Sequence, residues 1–385
     1  MRRNNSPIAE KPTVRKGKKV SLKIMSDKNC LMPRSKFRER NAIGTAFLVL
    51  IFSATPLIAG YGDQINGYPN QQERELHLAT NVVRTAPQEF RDTYIGSYNI
   101  LLPQNYPPVN PIYLNHDLNQ AGRVHGEDMA ANCGLSHNSC DGTLWSTRIK
   151  SYYTDSGWIA ENIATGRSTG FSTVIQFLRD DVNGTPAADN SSNDGHRKNI
   201  MNSRYKDFGP GYAYSSTRPW YHFWVQDFGG GSPPYYAIAS GSHLYITDQT
   251  ITFIAVFYDP DGDAPQSAKV VINGVAQNMI HHLGSPSRGS YLLNLPDDNN
   301  CRDYYFQFLD ADGTSWRFPE TTELSNNPGQ KCYTPVKLAD AVLALQVISN
   351  SLSNPADASG IIDQDVDGKI GLTDAIITLK TLSGN

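Results

Sequence analysis

The sequence is poor in charge, and what basic charge it has is unevenly placed. Charged residues make up 18% of the 385 positions, and residues 1–41 hold 13 of the 34 Lys and Arg with only 3 of the 37 acids. The rest of the chain therefore carries 21 basic against 34 acidic residues. An acidic body lacks the positive surface that nucleic acids require. We expect no nucleic-acid partner.

The sequence also lacks the His-Glu-x-x-His motif of zinc proteases and has only five cysteines. Cys30 stands apart near the start of the chain. The other four form two local pairs, Cys133 with Cys140 and Cys301 with Cys332. An even count favours two disulfides in an exported chain. Oxidised cysteines would exclude a thiol nucleophile.

An export segment is predicted at residues 1–60. Ala42 to Gly60 is apolar and uncharged, follows Arg38 and Arg40, and ends in small residues. These features are typical of a signal peptide that is cleaved, so we expect a secreted protein. The alternative is an uncleaved N-terminal membrane anchor, since the segment is nearly long enough to span a bilayer.

Helix signals come early in the chain and strand signals later, which predicts an α+β fold. Helical spacing of apolar residues covers Gln71 to Ala86, Asn115 to about Asn132, and Ser172 to Asp181. Alternating segments at Phe208 to Tyr214 and His222 to Phe228 predict two paired strands.

Pro233-Pro234 marks a change of pattern. Residues 235–333 contain short β segments separated by turn signals such as Asn273-Gly274 and Asp312-Gly313. This spacing predicts a small immunoglobulin-like β-sandwich. His281-His282 is expected on a surface turn.

The tail at residues 335–385 contains an internal repeat and an acidic loop. Val336 to Leu345 matches Ile370 to Leu379, and a twelve-residue loop with Gly368 at its sixth position overlaps the second copy. Carboxylates fall at loop positions 1, 3, 5 and 12, a spacing that wraps hard oxygens around one calcium ion. The predicted ligands are Asp363, Asp365, Asp367, the Lys369 carbonyl and Asp374.

Asp at the twelfth position, with no clear helix before the loop, resembles the dockerin type I module. The resemblance implies a cohesin-like or cell-surface partner for the tail. The first repeat copy has Gly329, Lys331 and Tyr333 where the ligands should stand. We therefore expect one ion rather than two.

Four ordered motifs in residues 67–230 contain two histidines and a carboxylate: Leu135-Ser136-His137, Glu161-Asn162-Ile163, Gly195-His196-Arg197-Lys198-Asn199 and Trp224-Val225-Gln226-Asp227-Phe228. Together they resemble the CAP superfamily of cysteine-rich secretory, antigen 5 and pathogenesis-related proteins. His125-Gly126-Glu127-Asp128 is similar to its bacterial branch. The resemblance implies an α–β–α sandwich with a polar cleft.

The resemblance implies that His137, Glu161 and His196 line this cleft, with Asp180 or Asp181 as a further acid. It also implies zinc or another divalent ion at the two histidines. By their chemistry alone, these groups suit a zinc site, an acid–base pair or a polar cluster that only holds the fold together. His125 lies on the inward face of its helix, as a core residue or a member of the site.

The sequence as a whole predicts an extracellular binding protein of unknown ligand, with a calcium-binding tail. The alternative is a metal-dependent hydrolase of peptides or cell-wall polymers.

Overall fold

The structure is a computed structural model. It describes residues 59–247, 249–328, 332, 341–342, 345–346, 349 and 372–383. Most of the predicted export segment and calcium loop positions 1 to 9 lie outside these residues. Of the tail, helix α7 (Leu372–Ser383) is described. No helix in the described part of the chain has the length and apolar character that crossing a membrane requires.

The first domain contains six α-helices and four strands. The helices are α1 (Gln71–Thr85), α2 (Pro87–Phe90), α3 (His116–Asp128), α4 (Trp145–Tyr152), α5 (Gly170–Arg179) and α6 (Gly195–Ile200). Single π-helical turns follow α2 and α3. The strands are β1 (Tyr113–Leu114), β2 (Ile159–Thr165), β3 (Asp207–Tyr214) and β4 (His222–Gly229). The three helices and two strands predicted from periodicity are confirmed.

Capping residues set where the long helices begin. Asn70 accepts from the backbone N–H of Glu73, whose carboxylate accepts from the Asn70 N–H, so α1 starts with a complete capping box. Asn115 caps α3 through the N–H groups of Asp117 and Leu118. Each cap satisfies helix N–H groups that have no partner within the helix.

The four strands form one sheet in the order β1-β3-β4-β2, with β1 parallel to β3 and the other pairs antiparallel. One face packs through Ala164 and Trp224 into the cluster that contains α1 and α5. The other face packs through Ile163 and Val225 against the end of α3. The sheet is therefore covered on both faces, and β2 lies at its edge.

Glycines allow α3 to approach the sheet closely. A Cβ atom at Gly209 would lie 2.0 Å from the backbone carbon of Leu118, and one at Gly211 would lie 2.2 Å from that of Gly122. Backbone atoms cannot yield as a flexible side chain can. The short helix-to-sheet distance thus depends on glycine in β3.

The second region consists of two antiparallel sheets that share an apolar core. One has the order β5-β6-β10-β9, the other β12-β11-β7-β8 with β13 beside β11. The strands are β5 (Ile238–Thr247), β6 (Thr250–Tyr258), β7 (Ser267–Ile272), β8 (Val275–Asn278), β9 (Ile280–Ser285), β10 (Arg288–Pro296), β11 (Asp303–Leu309), β12 (Ser315–Phe318) and β13 (Leu324–Ser325). Immunoglobulin-like topology stays a prediction.

Two local expectations in this region have different outcomes. Asn273 and Gly274 both have positive φ angles, 47° and 80°, and join β7 to β8 as the hairpin signal predicted. The surface turn expected at His281-His282 is wrong, because both residues lie in β9. The strand forms by antiparallel pairing with β10, and His282 Nε2 lies 2.8 Å from the hydroxyl of Tyr94 in the first domain.

The two regions share part of their core. Val256 and Leu292, from the sheet containing β6 and β10, join the same apolar cluster as Leu76 and Val83 of α1. Polar contacts reinforce this packing: the Asn81 side chain donates to Ser240 Oγ at 3.1 Å. Helix α1 is therefore buried between two sheets.

Both predicted disulfides are confirmed. Cys133 pairs with Cys140, and Cys301 pairs with Cys332, seven and 31 residues apart.

Candidate functional site

The site is organised around β2 and its neighbour β4. Glu161 lies directly opposite Asp227, and Asn162 lies opposite Gln226. Neighbouring residues in a strand point to opposite faces of the sheet. The two dipeptides therefore place a pair of carboxyl groups on the α3 side and a pair of amides on the α1 side.

On the α3 side of the sheet, the Glu161 carboxylate lies close to one guanidinium group and two imidazole rings. Its Oε1 lies 2.8 Å from His137 Nδ1, and its Oε2 is paired with Arg148 and lies 4.0 Å from His125 Nε2. Arg148 also donates to the carbonyl of His137 at 2.9 Å. Glu161 is buried, whereas the His137 side chain is 52% exposed. One buried carboxylate thus holds an imidazole at the surface.

Asp227 lies beneath this cluster and is fully buried. Burial is the main cause that raises its pKa well above the ordinary value, and the negative charge of Glu161 raises it further. Neither carboxyl oxygen has a hydrogen-bond partner that meets standard geometry within the described residues. A neutral Asp227 avoids placing a second negative charge, with no cation to compensate it, opposite Glu161 on the facing strand.

His125 belongs to the same buried cluster. Its side chain has no exposed surface, and its Nε2 donates to the carbonyl of Ser136 at 2.8 Å. Burial lowers its pKa, so the ring is neutral and Nε2 carries the proton. The position predicted as either core or site is therefore a buried support for the segment that bears His137.

His196 is held by a second carboxylate, on the other side of β2. Its Nδ1 and backbone N–H both contact Asp180, the N–H at 3.2 Å, and its ring lies 4.8 Å from that of Phe177. Asp180 ends α5 in the left-handed conformation, with φ 44°. The acid beside His196 is therefore Asp180. Asp181, the other acid that the resemblance allowed, instead pairs with Arg179 at 3.1 Å.

The rest of the His196 motif supports the fold. Arg197 is fully buried, with its Nε 2.6 Å from Asp194 and 3.3 Å from Asp189. It also donates to the carbonyl of Ala187 at 2.8 Å. These contacts fix the loop between α5 and α6, and thereby the position of His196.

An amide chain on the α1 side links the other motifs. Asn199 donates to Asn162 at 2.8 Å, Asn162 donates to Gln226 at 2.9 Å, and Gln226 donates to Thr80 at 2.8 Å. Asn162, Gln226 and Thr80 are completely buried. A buried polar group without a partner would be costly, so this chain fixes the register of α6, β2, β4 and α1 together.

The structure reveals a groove along the β2 edge, which we call the β2 cleft. Its volume is about 730 Å³, and its lining includes Thr165, Gln176, Asp180 and His196. A smaller cavity of about 380 Å³ lies on the other side, against His125 and Arg148.

The described residues do not bring three ligand atoms of His137, Glu161, His196 and Asp180 within 4.8 Å of one another; the one such group found is Asp128 with Cys133 and Cys140. Those two cysteines are joined in a disulfide and offer no thiolate. Each pair of a histidine with its carboxylate, His137 with Glu161 and His196 with Asp180, offers donor atoms that zinc accepts. The described residues do not bring the two pairs together into a closed site.

A serine motif was missed in the sequence. Gly166-Arg167-Ser168-Thr169-Gly170 matches Gly-x-Ser-x-Gly and connects β2 to α5. Ser168 is exposed, and its φ is not positive, unlike the strained serine of a nucleophile elbow. No histidine contacts its hydroxyl in the described part of the chain. The geometry is not that of a hydrolase triad.

Arg148, Asp227 and the amide chain were also not assigned from the sequence. The sequence did offer one signal for Asp227: an acidic residue within a strand segment rich in apolar residues indicates a polar site. The partners of Arg148 depend on a turn and helix that approach β2 only in three dimensions.

Residues 79–228 match the family model described as CAP, the cysteine-rich secretory protein family. The match covers less than half of the chain. No curated protein matches.

Solved structures are similar over part of the chain. An extracellular protein containing an SCP domain from Bacillus anthracis str. Ames has 22% identity and a TM-score of 0.24, covering 31% of this chain and 34% of its own. An outer surface protein from Borrelia burgdorferi has 18% identity and a TM-score of 0.26, covering 32% of this chain and 80% of its own. The chain thus spans about a third of the Bacillus protein. Residues 79–228 are therefore similar to the CAP family, and β-sheet regions follow this segment in the same chain.

Proposed function

We propose that this is an extracellular binding protein whose CAP domain holds its ligand along the β2 edge, between His137 and His196. The observation that carries the proposal is the pairing of each imidazole with a carboxylate through Nδ1. The export segment and the two disulfides support a location outside the cytosol.

The pairing fixes the chemistry of each ring. When Nδ1–H donates to a carboxylate, Nε2 keeps its lone pair and points away from that carboxylate. Glu161 orients His137 in this way, and Asp180 orients His196. Such a nitrogen accepts a hydrogen bond or binds a divalent ion such as zinc, and a carboxylate behind the ring strengthens both interactions.

Binding is favoured over the alternative of a metal-dependent hydrolase. Within the described residues, no serine or threonine hydroxyl contacts either ring, and the two cysteines of the domain are oxidised. Two oriented imidazoles on opposite sides of an edge strand form a recognition surface without an assembled nucleophile.

Zinc titration of the full chain by calorimetry, with calcium present to saturate the tail, tests the cleft. We expect His137→Ala and His196→Ala each to weaken zinc binding by at least tenfold, because each removes one ligand. His281→Ala, which changes an exposed histidine of β9, is the matched control and should bind as the wild type does. Undiminished affinity in the His137/His196 double variant would reject the metal site.

We also propose that the tail binds one calcium ion through Asp363, Asp365, Asp367, Asp374 and the Lys369 carbonyl. Carboxylates confined to a twelve-residue loop repel one another without a cation, so binding should be coupled to ordering of the loop. A cohesin-like or cell-surface protein is the partner that the tail's dockerin resemblance supports.

Calcium calorimetry of the full chain should give a stoichiometry of one. Asp363→Ala should abolish the heat of binding, whereas Asp357→Ala, just before the loop, should leave it unchanged. A stoichiometry of two would show that the first repeat copy binds as well, and zero would reject the loop.

A further inference from the structure

The tip of the β3–β4 hairpin carries three large exposed aromatic side chains. Tyr214 is 58% exposed, Trp220 60% and Tyr221 52%. We call these three residues the hairpin platform. The Tyr214 and Tyr221 rings are nearly parallel, with an interplanar angle of 17° and centroids 6.3 Å apart. A cluster of large apolar side chains exposed on a protein surface is typical of a binding site.

The platform is held in shape by its backbone. Trp220 and Tyr221 have φ angles of 73° and 56°, a backbone region that bulky residues rarely adopt. Arg218, in the same loop, donates to the carbonyls of Ala131 at 2.9 Å and Asn132 at 2.5 Å. These hydrogen bonds tie the loop to the turn that follows α3.

The platform is continuous with the β2 cleft. Gly166, just after β2, donates its N–H to the carbonyl of His222 at 3.0 Å. A Cβ atom at Gly166 would lie 3.9 Å from the Cβ of Trp220. The residues on either side of it, Thr165 and Arg167, line the cleft. One surface thus runs from His196 along β2 to Trp220.

The charges along this surface largely cancel. The lining places Asp180 and Asp181 beside Arg167 and Arg179, and Arg179 pairs directly with Asp181. Gln176 and Asn183 add amide groups to the lining. An anionic or cationic polymer would find little net charge of the opposite sign. Carboxylates and amides next to flat aromatic rings suit a ligand that offers hydroxyl groups at its rim and C–H groups on its face.

A pyranose ring has this character, since its C–H face packs on an aromatic ring while its hydroxyls meet polar side chains. We propose that the cleft and platform together bind a chain of an uncharged polysaccharide built from β-linked hexose or N-acetylhexosamine units. The inference rests on the proposed function in one respect, the placement of the ligand in the β2 cleft.

Calorimetric titration of the full chain with cellohexaose and chitohexaose tests the proposal, with heparin as the anionic comparison. We expect at least one of the two uncharged oligosaccharides to bind and heparin not to bind. Trp220→Ala and Tyr214→Ala should each weaken binding about tenfold, as expected for an aromatic anchor at the centre of a contact. Both side chains are mostly exposed, so the variants should fold.

Trp158→Ala is the matched control, because Trp158 is 59% exposed and precedes β2 at the opposite end from the platform. Its affinity should equal that of the wild type. Lack of binding to both uncharged oligosaccharides, binding of heparin alone, or an unchanged affinity in Trp220→Ala would overturn the proposal. Zinc titration of Trp220→Ala separates the oligosaccharide proposal from the zinc proposal. Retained zinc binding with lost oligosaccharide binding would show that the hairpin platform binds the oligosaccharide independently of the metal site.

Discussion

At the scale of single residues, the facing carboxyl groups of Glu161 and Asp227 show how burial divides two similar groups into different roles. Arg148 and His137 both contact Glu161, which can therefore hold a negative charge. Among the residues that the structure describes, no Lys or Arg forms an ion pair with Asp227, and burial raises its pKa well above the ordinary value. The strand register brings the two together, and the surrounding helices decide which one is charged.

This difference predicts a pH dependence for Asp227. An acid whose pKa is raised by folding binds more protons in the native state, so its contribution to stability is full below about pH 4 and is lost as pH rises towards the raised pKa. Asp227→Asn cannot ionise. We expect its free energy of unfolding, measured by urea denaturation at pH 5 and pH 8, to fall less with rising pH than that of the wild type.

Glu73 and Glu75 are also buried, and burial raises the pKa of each to about 7. They give the wild type and the variant the same downward slope, so the comparison isolates Asp227. Asp312→Asn, at an exposed loop position, should keep the slope of the wild type. An identical slope in Asp227→Asn would mean that Asp227 is ionised in the folded protein.

At the scale of elements, the packing of α3 against β3 determines where the segment that bears His137 can lie. His125 of α3 donates to the Ser136 carbonyl, one residue before His137. The helix can approach this closely because β3 has glycine at positions 209 and 211. The glycines thus contribute to the position of an imidazole that they do not touch.

Gly209→Ala should therefore destabilise the protein by about 3 kcal/mol or more, since the new methyl group meets helix backbone at 2.0 Å. Gly157→Ala, whose Cβ would have no atom within 4 Å, should change stability by less than about 0.5 kcal/mol. Thermal denaturation of both variants measures the difference. Equal stability would show that α3 moves away freely.

At the scale of the whole molecule, α1 belongs to two regions at once. One side of α1 packs on the sheet that contains β6 and β10, and the opposite side packs on the sheet that contains β4 in the first domain. The buried polar contact of Asn81 with Ser240 crosses the same boundary. We expect the two regions to unfold together because neither can lose α1 without exposing apolar surface.

Val256→Asp tests this coupling. Val256 is fully buried in the shared cluster, and an unpaired carboxylate there should cost several kcal/mol. Hydrogen exchange should then show weaker protection of β4 amides, although β4 lies in the other region. Val275→Asp, at a position 61% exposed, should leave that protection unchanged. Loss of protection confined to β5–β10 would show that the regions unfold independently.

The sequence by itself determined the features that depend on local spacing. Apolar periodicity indicated α1 and α3, the Asn-Gly signal indicated the β7–β8 turn, and four ordered motifs indicated the similarity to the CAP family. Local disulfide pairs followed from the count and spacing of the cysteines. These features are encoded within a few residues, so short-range chemistry is sufficient to predict them.

Only the tertiary structure decided which groups meet. Asp180 rather than Asp181 reaches His196 because α5 ends in a left-handed residue, a conformation that sequence spacing does not specify. Arg148 and Asp227 come to Glu161 from a separate helix and the neighbouring strand, and His281 and His282 lie in a strand because β9 pairs with β10. Such contacts depend on packing between distant segments, which has no signature in the spacing of either one.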